Sequence, residues 1–144
     1  MFKKILVPTD GSELSERALV AAVKFAKQLG ASVVALTVTE PYSYSNLSEY
    51  RPESIDDYDG RMQAIANERL SRAVQVAQPE GVSCEAVVVR SFSPFEAIIT
   101  AVKEHGCDVI FMASHGRRGL AAVLLGSETQ KVLTHSTVPV MVYR

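Results

Sequence analysis

Cysteine is scarce in this chain: only Cys84 and Cys107 occur, 23 positions apart. Neither sits in a CxxC pair and no His/Cys cluster accompanies them, which argues against a metal site. They read as small buried hydrophobes in a reducing compartment. Net charge is nearly absent as well. Fifteen Lys and Arg stand against 16 Asp and Glu, a formal net charge of −1, so no broad electrostatic footprint for nucleic acid is expected. The adjacent pair Arg117-Arg118 is a local basic spot. Long apolar runs are missing too. Nothing approaches the ~18 apolar residues of a membrane span. The first run, Ile5-Leu6-Val7, stops at Pro8 and is too short for a signal peptide. These absences point to a cytoplasmic protein with no membrane span and no nucleic-acid partner. No internal repeat or low-complexity segment is apparent.

What is present is the composition of one globular domain, taken as residues 1–144. The 144-residue chain is 47% hydrophobic and 22% charged, enough to bury a substantial core. "KILVPTD" is apolar on both faces and reads as a buried strand. Leu14, Ala18, Ala21, Ala22, Phe25 and Leu29 recur at helical spacing between a Ser12 cap and a Gly30 stop. "ASVVALTVTEP" is a second strand. Residues 42–60, rich in Ser, Tyr and Asp, read as a long surface loop, whose tyrosines either pack on the body or cover a ligand. A helix follows over 61–78, with Met62, Ile65, Ala66, Leu70, Ala73 and Val74 on one face, stopped by Pro79 and Gly81. Then come a strand "VSCEAVVVRS" and a helix with Ser93 as cap, Pro94 in its first turn and Glu96 closing a capping box. A strand "CDVIFMA" precedes a helix capped by Ser127 with Gln130, and "VPVMVYR" forms the last strand.

Strict β-α alternation predicts an α/β fold: an open five-stranded parallel sheet with helices on both faces and right-handed crossovers. Ligands in such sheets sit where strand order reverses, at the strands' carboxyl ends. In the order 3-2-1-4-5 the ends of strands 1 and 4 are neighbours there. They carry the least core-like stretches, "PTDGS" and "ASHGRRG". Gly116, Gly119 and Gly126 offer positive φ or close approach to a ligand. The helix beginning near Ser127 offers N–H groups to an anion, and Arg117 with Arg118 offers charge-assisted bonds to phosphate. A glycine-rich connection to a capped helix explains the same residues. Asp10 either faces the crevice or turns the local "DGSE". His115 lacks a nucleophile partner and reads as structural or ligand-adjacent. The chain has neither a G-x-x-x-x-G-K-[ST] loop, nor a G-x-G-x-x-G fingerprint after strand 1, nor a G-x-S-x-G elbow.

Along essentially its whole length, from "ILVPTDGSELSERAL" through "MASHGRRG" and "LLGSETQKVL" to "VPVMVYR", the chain resembles the universal stress proteins. ATP-binding members of that family share a loop G-x-x-G-x9-G-[ST]. Here Ala113 stands at the first glycine, Gly116 at the second, and Gly126 and Ser127 follow after nine residues. Two departures stand out, Ala113 itself and Phe92 in "SFSP", where a glycine is expected. The resemblance implies an adenine nucleotide (ATP, ADP or AMP), with Mg2+ admitted beside the phosphates. Asp10 would contact the nucleoside over a floor shaped by Pro8 and Thr9. Val38 would meet the adenine through its backbone, and Gly116, Gly126 and Ser127 would surround the phosphates. Glu128 and Thr129 would add groups from the helix N-terminus. It also implies a homodimer through the last strand, Val138 to Tyr143, and a protein partner the sequence does not name. Two other uses stay open: a slow ATPase or phosphoryl-transfer enzyme, and a nucleotide-free dimerisation module.

Overall fold

In the computed structural model, which describes residues 1–43, 53–116 and 125–144, five strands alternate with four helices. The strands are β1 (Lys4–Pro8), β2 (Ser32–Thr39), β3 (Cys84–Arg90), β4 (Val109–Ala113) and β5 (Val140–Tyr143). The helices are α1 (Glu13–Leu29), α2 (Ile55–Ala77), α3 (Pro94–His105) and α4 (Ser127–His135). The sheet is parallel throughout, as strict alternation predicts, and its order is the expected β3-β2-β1-β4-β5.

Period-two side chains divide the sheet between two cores. Ile5, Val7, Val33, Ala35, Val109 and Phe111 pack with Ala18, Leu19 and Ala22 of α1 and Leu70 and Ala73 of α2. Leu6, Val34, Leu36, Ile110 and Met112 face the other way, against Ile98, Ala101 and Val102 of α3 and Val132 of α4. Because both faces are covered, the central strands show none of the polar alternation of a half-exposed sheet.

Three local expectations are corrected. The loop assigned to 42–60 ends early, because α2 begins at Ile55. Ser54 caps it by accepting from Asp57 N–H, and Asp56 and Asp57 fill its first turn. That acidic, Gly60-containing turn carries little apolar periodicity, which hid the helix in the sequence. Of the loop's tyrosines, Tyr58 is buried, stacks edge-on with Tyr42 at 5.4 Å and donates to the Glu40 carbonyl. These two pack on the body; the other two, Tyr44 and Tyr50, lie outside the described residues. Second, the cap of α4 is Gly126, with Ser127 as its first helical residue. Gln130 reaches back to the Leu125 carbonyl rather than to Ser127, so the expected Ser127–Gln130 box is not formed. Third, Ser93 caps α3 without a side-chain bond. Its own N–H is taken by Ser91 Oγ, which leaves no role for the expected Glu96 reach-back.

Candidate functional site at the carboxyl ends of β1 and β4

The ladder between β1 and β4 is registered at Ile5 with Val109 and Leu6 with Ile110. Between β1 and β2 it continues to Pro8 with Leu36, and Thr9 N–H extends it to the Leu36 carbonyl at 2.8 Å. β1 therefore stays with β2 while parting from β4 at its carboxyl end. The parting lies where strand order reverses, the usual place of a binding crevice in such sheets.

The floor is rigid. Thr9 is buried, its hydroxyl 3.3 Å from Ser15 Oγ and its carbonyl bonded by Thr37 Oγ1 at 2.8 Å. Arg69 of α2 donates to Thr37 Oγ1 at 3.1 Å, tying α2 into the same group. Thr9's polar atoms are thus used internally, so with Pro8 it shapes the floor. Of the two roles the sequence left open for Asp10, the local turn is formed. Asp10 accepts from Ser12 N–H through Oδ1 at 2.9 Å, turning the chain into α1 through Gly11 at φ 77°. Its Oδ2 lies against Gly116, where a Cβ would collide with it.

Across the crevice, Ala113 is the buried last residue of β4 and belongs to the α1/α2 core. As an extended strand residue it has no need of positive φ, so alanine fits where the motif has glycine. The chain meets itself between residues 114 and 126. Gly126 N–H donates to the Ser114 carbonyl at 2.7 Å, and a Cβ on Gly126 would lie 3.1 Å from His115 Cα and 3.3 Å from Ser114 O. Neither Gly116 nor Gly126 has positive φ; Gly126 sits at −62°. Close approach, not the left-handed conformation, is what glycine provides at both. His115 Nδ1 lies 3.3 Å from Ser114 Oγ, a structural contact.

α4 then presents its N-terminus. Ser127 is exposed at its start. Thr129 is buried, and its hydroxyl donates to the Ala113 carbonyl at 3.1 Å. Glu128 bridges two helices, its Oε2 accepting the Phe95 N–H of α3 at 2.9 Å and its Oε1 lying 3.4 Å from Lys131 Nζ of α4. Val38, at the end of β2, is half-buried against the α3/α4 core. The structure thus gathers Pro8, Thr9, Asp10, Ala113, His115, Gly116, Gly126 and Ser127 at one rim. It turns the side chains of Glu128 and Thr129 to structural bonds, and Arg117 lies outside the described residues. Phe92 stands 63% exposed beyond the end of β3. A hollow of about 410 Å3 between the outer face of α1 and Tyr143 is separate from the crevice.

The family model described as the universal stress protein family matches residues 1–144. This chain belongs to the universal stress protein family. It is 34% identical to universal stress protein YxiE of Bacillus subtilis, over 100% of both chains. It is 28% identical to universal stress protein MJ0577 of Methanocaldococcus jannaschii, over 100% of this chain and 96% of that one. The solved MJ0577 structure superposes with a TM-score of 0.81, at 30% identity, covering 99% of this chain and 96% of that one. A universal stress protein from Archaeoglobus fulgidus solved with dAMP shares the fold at 24% identity and TM-score 0.70, over 99% and 98% of the chains. Another universal stress protein, solved with cAMP, shares it at 24% identity and TM-score 0.73, over 99% and 97%. No helix among the described residues is long and apolar enough to cross a membrane.

Proposed function

We propose that this universal stress protein binds an adenine nucleotide in the crevice between β1 and β4. In this reading nucleotide occupancy regulates binding of a partner protein in the cytoplasm. The observation that carries the proposal is the convergence of three features on one opening. These are the Asp10 carboxylate, a loop base closed by glycine contact, and the N-terminus of α4. A carboxylate suits ribose hydroxyls. Helix N–H groups and the helix dipole suit phosphate. That the same fold holds dAMP in one protein and cAMP in another supports the choice of ligand. Among the described residues no group of three or more His, Cys, Asp or Glu side chains is placed to hold a metal ion. Mg2+ is accordingly expected to arrive on the phosphates rather than in a protein cage.

Assembly follows from the edge of the sheet. Pro139 O accepts from Ile110 N–H and Tyr143 O from Ser114 N–H, so the peptide groups of Val140 and Val142 face outward, away from β4. An apolar edge of this kind invites a second copy, paired about a two-fold axis. The homodimer through Val138 to Tyr143 is part of the proposal.

Denaturing the purified protein and weighing any released small molecule by mass spectrometry identifies the native occupant. Refolded, nucleotide-free protein should then melt higher with ATP, ADP or AMP. A ligand at ~100 times its Kd adds about 2.7 kcal/mol when it binds only the folded state. No shift with any of the three overturns the reading.

A further inference from the structure

Helix α3 begins with a defect. Its cap, Ser93, makes no side-chain bond into the first turn, and Pro94 has no N–H to offer. The first amide needing a partner is that of Phe95. Its acceptor comes from 33 residues away, the Glu128 carboxylate in the first turn of α4. The other oxygen of the same carboxylate lies 3.4 Å from Lys131 Nζ. Lys131 in turn sits over the Phe95 ring at 5.5 Å, and that ring lies 5.2 Å from the ring of His135.

This arrangement matters for the neighbouring crevice. A carboxylate in the first turn of a helix is ordinarily drawn to that helix's own N–H groups. At α4 it would occupy the N–H groups a phosphate needs and repel the phosphate itself. Here the carboxylate is swung across to α3 and partly neutralised by Lys131. The first turn of α4 is then held at three points. Gly126 N–H bonds the Ser114 carbonyl, Thr129 Oγ1 bonds the Ala113 carbonyl, and Glu128 bonds α3. The first two fix it to β4; only the third fixes it to α3.

We propose that Glu128 is a positioning residue for the nucleotide's phosphates. By clamping the first turn of α4 to the N-terminus of α3, it aims the α4 amides into the crevice and keeps its own charge out of it. The inference rests on the nucleotide-binding reading above. It makes α3 part of the site's support, although no α3 side chain is assigned a contact with the ligand.

Glu128→Gln and Glu128→Ala test it together, because both remove the charge and only alanine removes the acceptor. Their Kd values for ATP and for adenosine are measured by calorimetry. Amide exchange at Phe95 is followed in the same proteins by NMR. Glu128→Gln should bind ATP at least as tightly as the parent and keep Phe95 protected. Glu128→Ala should bind ATP about tenfold more weakly than Glu128→Gln, the scale of a lost bond to a charged or polar acceptor. It should lose Phe95 protection, with adenosine affinity equal in all three proteins. Equal ATP affinity in the two variants overturns the clamp. So does a parallel loss of adenosine, which would mean general loosening, and so does unchanged Phe95 exchange in Glu128→Ala. A parent that binds neither ATP nor adenosine defeats the nucleotide reading itself, and the clamp's role with it.

Discussion

Replacing Gly126 by valine probes the closed base of the loop with a perturbation whose size the structure sets. A Cβ at this position would stand 3.1 Å from His115 Cα, 3.3 Å from Ser114 O and 3.4 Å from His115 Cβ. Two of the three are backbone atoms. They cannot rotate away as a side-chain tip can, so one strand of the loop base has to move. The movement acts directly on the 2.7 Å bond from Gly126 N–H to the Ser114 carbonyl. Backbone conformation is not the obstacle, since φ −62° and ψ 152° suit any residue. Alanine at 126 therefore sets a small crowding cost against roughly 0.4–1 kcal/mol gained from a stiffer unfolded chain, and should be close to neutral. Valine adds two methyls to a closed contact, and overpacking of that kind costs about 1–3 kcal/mol. At 2 kcal/mol, Tm should fall by roughly 4–8 °C for a domain of this size. The consequence for ligand is larger, because the same displacement carries the first turn of α4 away from the crevice. The increment that saturating ATP adds to Tm in the parent should be lost in Gly126→Val and largely kept in Gly126→Ala. Differential scanning fluorimetry with and without ATP reads both quantities. A valine variant with the parent's Tm and the parent's ATP increment would refute the close-approach argument. A low Tm with an intact ATP increment would separate loop closure from binding.

Two further outcomes are expected. Val142→Pro removes an N–H that faces away from β4 while sparing the β4–β5 ladder, so it should convert a dimer to a monomer in light scattering with little loss of Tm; a variant that stays dimeric places the interface elsewhere. Burial pushes the Cys107 thiol up to about 11, against an ordinary value of 9.0. The folded state therefore holds its proton longer than the unfolded one, and this contribution to stability is complete below about pH 9 and lost as pH rises toward 11. A thiol reagent at pH 8 should leave Cys107 unmodified until denaturant is added, and rapid labelling of the native protein would contradict its burial.

The sequence alone determined the sheet. Regular alternation of apolar runs with helical periodicity leaves few topologies, all parallel with right-handed crossovers, and the observed order 3-2-1-4-5 is one of them. It also determined α1 from Ser12 to Gly30, because caps and periodicity are local and each signal lies within a few residues of its effect. Asp10 and the loop glycines were legible as a candidate site for the same reason: they are poor core residues placed at strand ends. Tertiary structure decided what those residues do. Gly116 needs to be glycine because Asp10, 106 positions earlier, occupies the space of its Cβ. Gly126 has room for nothing larger than alanine because the chain returns onto residues 114 and 115. Ala113 is tolerated because β4 runs extended through it. By the family resemblance Glu128 would add a group at the N-terminus of its own helix, yet its carboxylate accepts from the helix packed beside it. None of this has a local signature. A side chain's nearest neighbours across a fold are fixed by how helices pack on the sheet, and packing depends on all the residues of both cores at once.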